Sequence, residues 1–168
     1  LLSSQFANAI SELGLSKGER IFALLPRCIE LYIAVLGSLK NECIFSPLFS
    51  AFGSKPIKAR MQIGKAAALV TTSKYFLRKV RPIRAALEDL KWLVIVGELD
   101  PRIEGLPGVV SFDDIVERAS KKPRLLATKA EDPALIHFTS GTTGRPKGAV
   151  HVHAALLEHY ITGKYALD

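Results

Sequence analysis

A chain of 168 residues, 48% hydrophobic and 23% charged, carries enough apolar side chain for a packed core and too much of it for wholesale disorder. Its formal charge of +7 leaves two readings, solvated basic helix faces or attraction of a polyanionic ligand. No aromatic-basic ribonucleoprotein pattern, helix-turn-helix signal or zinc-finger spacing accompanies that charge, which sets nucleic acid aside. No apolar run reaches the ~18 residues needed to span a bilayer, so no membrane association is expected. The opening Leu1-Leu2-Ser3-Ser4-Gln5 lacks the basic and apolar regions of a signal peptide. Leu1 is not an initiator Met, and Asp168 stops just after a helical pattern; both ends read as cut, and a fragment of a larger protein is expected.

In chain order, residues 4–13 place Phe6, Ala9, Ile10 and Leu13 at helical spacing, with Gly14 as the residue that ends the helix. Residues 20–25 form a short β-prone run stopped by Pro26. Residues 29–40 read as a helix apolar on nearly every side, and therefore buried. The apolar run 44–49, interrupted by Pro47, precedes Phe52-Gly53. A basic amphipathic helix over 56–65 leads to a strand at 67–72, then a helix over 75–90 broken or restarted at Pro82. Trp92-Leu93-Val94-Ile95-Val96 is the clearest strand, followed by a Pro- and Gly-rich loop over 100–108. Ser111 is placed as the N-cap of a short helix reaching about residue 119. Residues 120–133 read as a connector and the one sub-boundary. Strands at 134–138 and 149–152 flank a polar loop, and a helix covers 154–165.

Cys28 and Cys43 bracket the apolar helix. Fifteen positions of helix would set them about 20 Å apart, beyond the roughly 7 Å that a disulfide spans. Free thiols in a reducing cytoplasm are expected. Repeated strand-helix-strand units with strands buried on both faces predict an α/β fold, a mostly parallel sheet flanked by helices.

The polar loop carries the chemistry. Thr139-Ser140-Gly141-Thr142-Thr143-Gly144-Arg145-Pro146-Lys147-Gly148 has almost no apolar side chain and lies between two apolar runs. Glycines open backbone N–H groups to close approach, clustered hydroxyls add donors, and Lys147 adds a compact charge. This is a grip for a polyphosphate, and it points to ATP. A Walker A loop is excluded, since only two residues separate Gly141 from Gly144 where four are needed, and Gly148 follows Lys147 where a hydroxyl is needed. A Gly-x-Gly-x-x-Gly fingerprint and a Gly-x-Ser-x-Gly elbow are also absent.

Position for position, Thr139–Gly148 resembles the Thr-Ser-Gly-Thr-Thr-Gly-x-Pro-Lys-Gly signature of the adenylate-forming superfamily, which includes acyl-CoA synthetases, luciferases and peptide-synthetase adenylation domains. Leu25-Pro26-Arg27 with Glu30-Leu31-Tyr32 and Leu36-Gly37 is similar to AMP-forming acetyl-CoA synthetases. So are the run from Ser46 to Gly53 and the segment from His151 through Tyr165. The resemblance implies that the chain, residues 1–168, is one incomplete α/β subdomain of an AMP-binding domain. It implies a two-step reaction: a short carboxylate such as acetate attacks ATP to give acyl-AMP and pyrophosphate, and coenzyme A then displaces AMP.

On that reading Thr139, Ser140, Gly141, Thr142, Thr143, Gly144, Lys147 and Gly148 hold the ATP phosphates, with Lys147 stabilising departing pyrophosphate. The resemblance further implies His153 beside the acyl-adenylate, set against a helix-starting polar residue, and Arg27, Phe52 and Gly53 near coenzyme A, set against ordinary surface and turn residues. His151 and His153 alternate, which invites a metal site with His159 as a third ligand, yet no Cys or carboxylate stands at ligand spacing, and no metal site is assigned. The family's aromatic-Gly-x-Thr-Glu segment for adenine and Mg2+, its ribose-binding Thr-Gly-Asp and its lysine-bearing lobe are not in these residues. The Mg2+ ligand is therefore expected downstream, and the chain alone is expected to be inactive. A non-catalytic phosphate- or nucleotide-binding module, a longer-chain acyl-CoA ligase and a luciferase-like enzyme are the alternatives. Oligomeric state is left open.

Overall fold

The computed structural model describes residues 1–123, 128–140 and 144–167. In order these form α1 (Leu2–Glu12), β1 (Arg20–Leu24), α2 (Ile29–Lys40), β2 (Ile44–Pro47), α3 (Ser54–Ile63), β3 (Ala66–Thr72) and a single helical turn α4 (Ser73–Tyr75). A π-helical segment (Phe76–Val80) and a 3-10 segment (Arg81–Ala86) follow, then β4 (Trp92–Val96), β5 (Val109–Ser111), α5 (Phe112–Arg118), β6 (Pro133–Thr139), β7 (Lys147–Val152) and α6 (His153–Ala166).

The seven strands make one sheet in the order β5-β4-β3-β1-β2-β6-β7. Every pairing is parallel except β6 with β7, which is antiparallel. A mostly parallel sheet flanked by helices is thus the fold. Alternation along β1 divides its core. Ile21 and Ala23 face one layer with Phe6 and Ile10 of α1, Ala34 of α2 and Phe112 of α5. Phe22 and Leu24 face the other with Ile57 and Met61 of α3 and with Phe76 and Val80. Full burial of side chains such as Phe22 and Ile21 contributes about 2 kcal/mol each.

Local chemistry sets the helix ends. Gly14, at φ +82°, allows the chain to turn left-handed after α1. The Leu15 N–H then reaches the Ile10 carbonyl at 3.0 Å and the Gly14 N–H the Ser11 carbonyl at 2.9 Å, closing the helix in a Schellman arrangement. The Ser111 hydroxyl accepts from the Asp114 N–H at 3.3 Å and caps α5, as expected.

Three elements differ from expectation. The helix over 29–40 forms, but it buries Ala34, Gly37 and Ser38 and leaves Ile29, Tyr32 and Leu36 at 70, 60 and 52% exposure. Its contact with α1 is so close that a Cβ on Gly37 would lie 2.7 Å from the Phe6 ring, so only one face of this all-round apolar helix is used within the described residues. The predicted helix over 75–90 is instead a π-helical turn followed by a 3-10 turn, with Pro82, which has no N–H to donate, at the start of the latter. A short edge strand, β5, joins the sheet beside β4 where a loop running into the α5 cap was expected.

Both cysteines are free; Cys43 is buried and Cys28 half-buried. Desolvation by burial pushes the Cys43 thiol up to about 11.

Candidate functional site

All strands but β7 point the same way, so their carboxyl ends form one edge, where ligands gather in α/β sheets. Arg27 follows β1 on this edge, Phe52 and Gly53 follow β2, and Thr139 ends β6. The polar loop is the turn of the β6–β7 hairpin. Antiparallel register pairs Thr139 with Lys147 and Phe138 with Gly148, so Thr139 and Lys147 stand side by side at the mouth of the turn. Thr139, Ser140, Gly144 and Lys147 are exposed, and Gly144 takes φ +75°. Gly141, Thr142 and Thr143 lie outside the described residues. Gly148 also has a packing reason: a Cβ there would lie 3.1 Å from the Ile136 side chain and 3.4 Å from the Phe138 ring.

The other predicted residues divide. Phe52 is half-buried, with the Arg60 guanidinium 4.3 Å over its ring and the Phe49 ring edge-on at 5.5 Å. Gly53 caps α3 in extended conformation, and Arg27 is exposed on the same edge of the sheet. His153 is elsewhere. It begins α6, six residues along the chain from Lys147, which at ~3.4 Å per strand residue puts it about 20 Å from the turn, on the amino edge. There its N–H donates to the Asp132 carbonyl at 3.0 Å, and Lys17 bridges the Asp132 and Glu42 carboxylates at 2.6 and 3.3 Å. Its Nε2 is buried without a hydrogen-bond partner. His153 therefore starts a helix and does not share a strand face with His151, because β7 ends at Val152. The His151 ring instead meets His137 edge-on at 5.5 Å. Desolvation, and then the neighbouring His151, lower the His137 pKa. Among the described residues no group of three or more His, Cys, Asp or Glu could hold a metal ion.

A second feature of the carboxyl edge escaped the sequence reading. A cavity of about 660 Å³ opens beyond the ends of β3 and β4, lined among others by Lys74, Arg78, Arg81 and Arg102. Ser73 closes its base: its hydroxyl donates to the Glu98 carbonyl at 2.8 Å and accepts from the Asp100 N–H at 3.1 Å. Asp100 is held by Arg102 at 2.6 Å, and this hydrogen-bonded pair brings the Asp100 carboxyl down to about 2. Lys74, Arg78 and Arg81 are left to offer charge to an anion. The Lys79 ammonium ties the same segment to the Ser50 carbonyl, next to the Phe52-Gly53 turn. The signal in the sequence was the spacing of Lys74, Arg78 and Arg81 at i, i+4 and i+7, which sets basic side chains on one side of a helical segment.

An α/β sheet with a hydroxyl-, glycine- and lysine-bearing hairpin and a cationic cavity on its carboxyl edge has the equipment of a nucleotide-handling protein. The sequence pattern of the AMP-binding enzyme family matches residues 1–167, and the chain belongs to that family. It is similar to the acetyl-coenzyme A synthetase of Bacillus subtilis (strain 168), 34% identical over 167 residues, covering 99% of this chain and 28% of that protein. It is also similar to mouse (Mus musculus) mitochondrial acyl-coenzyme A synthetase ACSM1, 31% identical over 161 residues, covering 95% of this chain and 27% of that protein. Among solved structures, the Brucella canis acyl-CoA synthetase superposes with a TM-score of 0.80 at 30% identity, covering 97% of this chain and 28% of that one. The anthranilate CoA ligase AuaEII in complex with anthranoyl-AMP gives a TM-score of 0.87 at 24% identity, over 98% of this chain and 30% of that one, and shares the fold. The chain thus spans little more than a quarter of the length of these relatives.

Proposed function

We propose that this chain is the nucleotide-gripping part of an AMP-forming acyl-CoA synthetase that activates a short carboxylate, acetate first, with ATP and passes the acyl group to coenzyme A. The observation that carries the reading is the Thr139–Lys147 pair at the mouth of the hairpin turn, on the carboxyl edge of the sheet. Departing pyrophosphate accumulates negative charge, and a fixed ammonium with neighbouring hydroxyl and amide donors lowers the barrier to its loss. Coenzyme A fits the second feature. The cavity at β3 and β4 and the hairpin of β6 and β7 stand about four strand spacings, roughly 19 Å, apart across the edge. A cosubstrate with phosphates at one end and a thiol on a long arm can anchor in the cavity and reach toward the adenylate. Arg27 and the Phe52-Gly53 turn lie between these two points in strand order.

The protein ligand of the Mg2+ that accompanies ATP is placed, on this reading, downstream of these residues, one or two carboxylates sufficing beside the phosphates and water. The two free thiols fit a reducing compartment, and the cytoplasm is the location we propose. Because the hairpin alone does not orient an α-phosphate toward a carboxylate, turnover belongs to the complete protein. Carboxylate-dependent exchange of pyrophosphate into ATP by that complete protein tests the reading. Exchange driven by acetate or propionate is expected. Exchange only with long or aromatic acids would reassign the substrate, and none with any acid would overturn the function in favour of a non-catalytic nucleotide-binding module.

A further inference from the structure

We infer that Ser46 is a positioning residue for the phosphate hairpin: its hydroxyl holds β6, and through it Thr139 and Lys147, at a set height against the parallel sheet. The hairpin joins the body of the sheet along the β2–β6 seam, and that seam has one register pair, Phe45 with Leu135. By contrast β1 pairs with β2 from Arg20 to Ala23, and β3 with β4 from Ala68 to Thr72. The seam is short for a chemical reason. Pro47, next along β2, has no N–H to offer a neighbouring strand. The chain beyond it turns toward β1, where the Leu48 N–H donates to the Ala23 carbonyl at 2.8 Å. Just where the backbone ladder stops, the Ser46 hydroxyl, fully buried, donates to the Ile136 carbonyl at 2.8 Å. Ile136 precedes Thr139 by three residues and is paired with Val150 on β7, so this bond ties the sheet to the strand leading into the turn.

An alanine at 46 would leave the Ile136 carbonyl buried without its donor and free β6 to slide or tilt at its carboxyl end. Ser46 itself touches no substrate; it acts through β6. Its catalytic consequence rests on the adenylation reading above, but its mechanical role does not.

The test compares Ser46→Ala and Ser46→Thr with Thr71→Ala in the complete protein. Thr71 makes the same kind of bond inside the body of the sheet, its buried hydroxyl donating to the Leu24 carbonyl at 2.9 Å. Ser46→Ala should raise KM for ATP in the pyrophosphate-exchange reaction about tenfold, the scale of one such bond. It should also speed hydrogen exchange of the 135–139 amides by a similar factor while leaving β1 and β3 as they were. Ser46→Thr, which keeps the hydroxyl, should restore both. Thr71→Ala should lower stability comparably without moving KM for ATP. If Ser46→Ala does not fold, Ser46→Cys, isosteric and a weak donor, takes its place. Unchanged exchange in β6, or a KM shift in Thr71→Ala equal to that in Ser46→Ala, would overturn the proposal. Absence of pyrophosphate exchange in the wild type would sink the adenylation reading instead, and the hydrogen-exchange comparison would still decide whether Ser46 holds β6.

Discussion

Thr139 and Lys147 are the last register pair of β6 and β7 before the turn, so an exposed hydroxyl and an exposed ammonium rise from one face of the hairpin at its turn end. Neither is needed by the core, whose hairpin contribution comes from Ala134 and Ile136, with Phe138 packed against it. The pair is held by strand geometry and remains available to a ligand.

Lys147→Ala should therefore slow adenylation by about a hundredfold, the scale of losing one preorganised charge at a developing oxyanion. Thioester formation from supplied acyl-AMP should change far less. Single-turnover measurement of the two half-reactions separates them, and equal loss in both would argue against a role at pyrophosphate.

Arg78 and Arg81 line the cavity beside β3 and β4, away from the hairpin. Replacing both with Ala should raise KM for coenzyme A about a hundredfold or more, each charge-assisted hydrogen bond being worth roughly 1.5–3 kcal/mol. KM for ATP should hold steady. A matching rise for ATP would show that the cavity serves the nucleotide.

Gly108 cannot be replaced cheaply. It sits at φ +76°, and a Cβ there would lie 2.2 Å from the Lys91 carbonyl oxygen, a backbone atom at the entry to β4. Gly108→Ala should cost about 2 kcal/mol or more, from left-handed strain and from displacement of β5. Urea denaturation measures it; a loss below half that figure would mean the 97–108 loop yields without resistance.

His137 gives the chain an acid sensitivity. Desolvation and the His151 ring lower its pKa from the ordinary value of 6.5, so the folded state favours the neutral ring while the unfolded chain protonates more readily. The contribution is complete above about pH 6.5 and is lost as pH falls through the folded-state value beneath it. Because the residue is exposed, the slope should be shallow. His137→Phe should flatten the decline in unfolding midpoint between pH 7.5 and 5.5, and identical slopes in the two proteins would remove His137 as its source.

Much of this was readable before folding. Gly14 and Ser111 depend on local chemistry: a left-handed turn and an oxygen acceptor for an orphan N–H. The parallel strands were readable for a related reason, since burial on both faces demands unbroken apolar runs such as Leu93-Val94-Ile95. The α2 helix was misjudged because apolar composition records what a helix can bury, while only its neighbours decide what it does bury.

Sequence by itself carries the ligand class proposed above, because the candidate donors between Thr139 and Gly148 are consecutive in the chain and need no distant partner to declare their chemistry. Tertiary structure alone decided that His153 stands a strand's length from that turn, that Arg78, Arg81 and Arg102 share one cavity, and that Ser46 reaches Ile136 across 90 residues of chain. Those relationships come from strand order and register, which arise from how separated segments bury their faces together, and no local spacing encodes them.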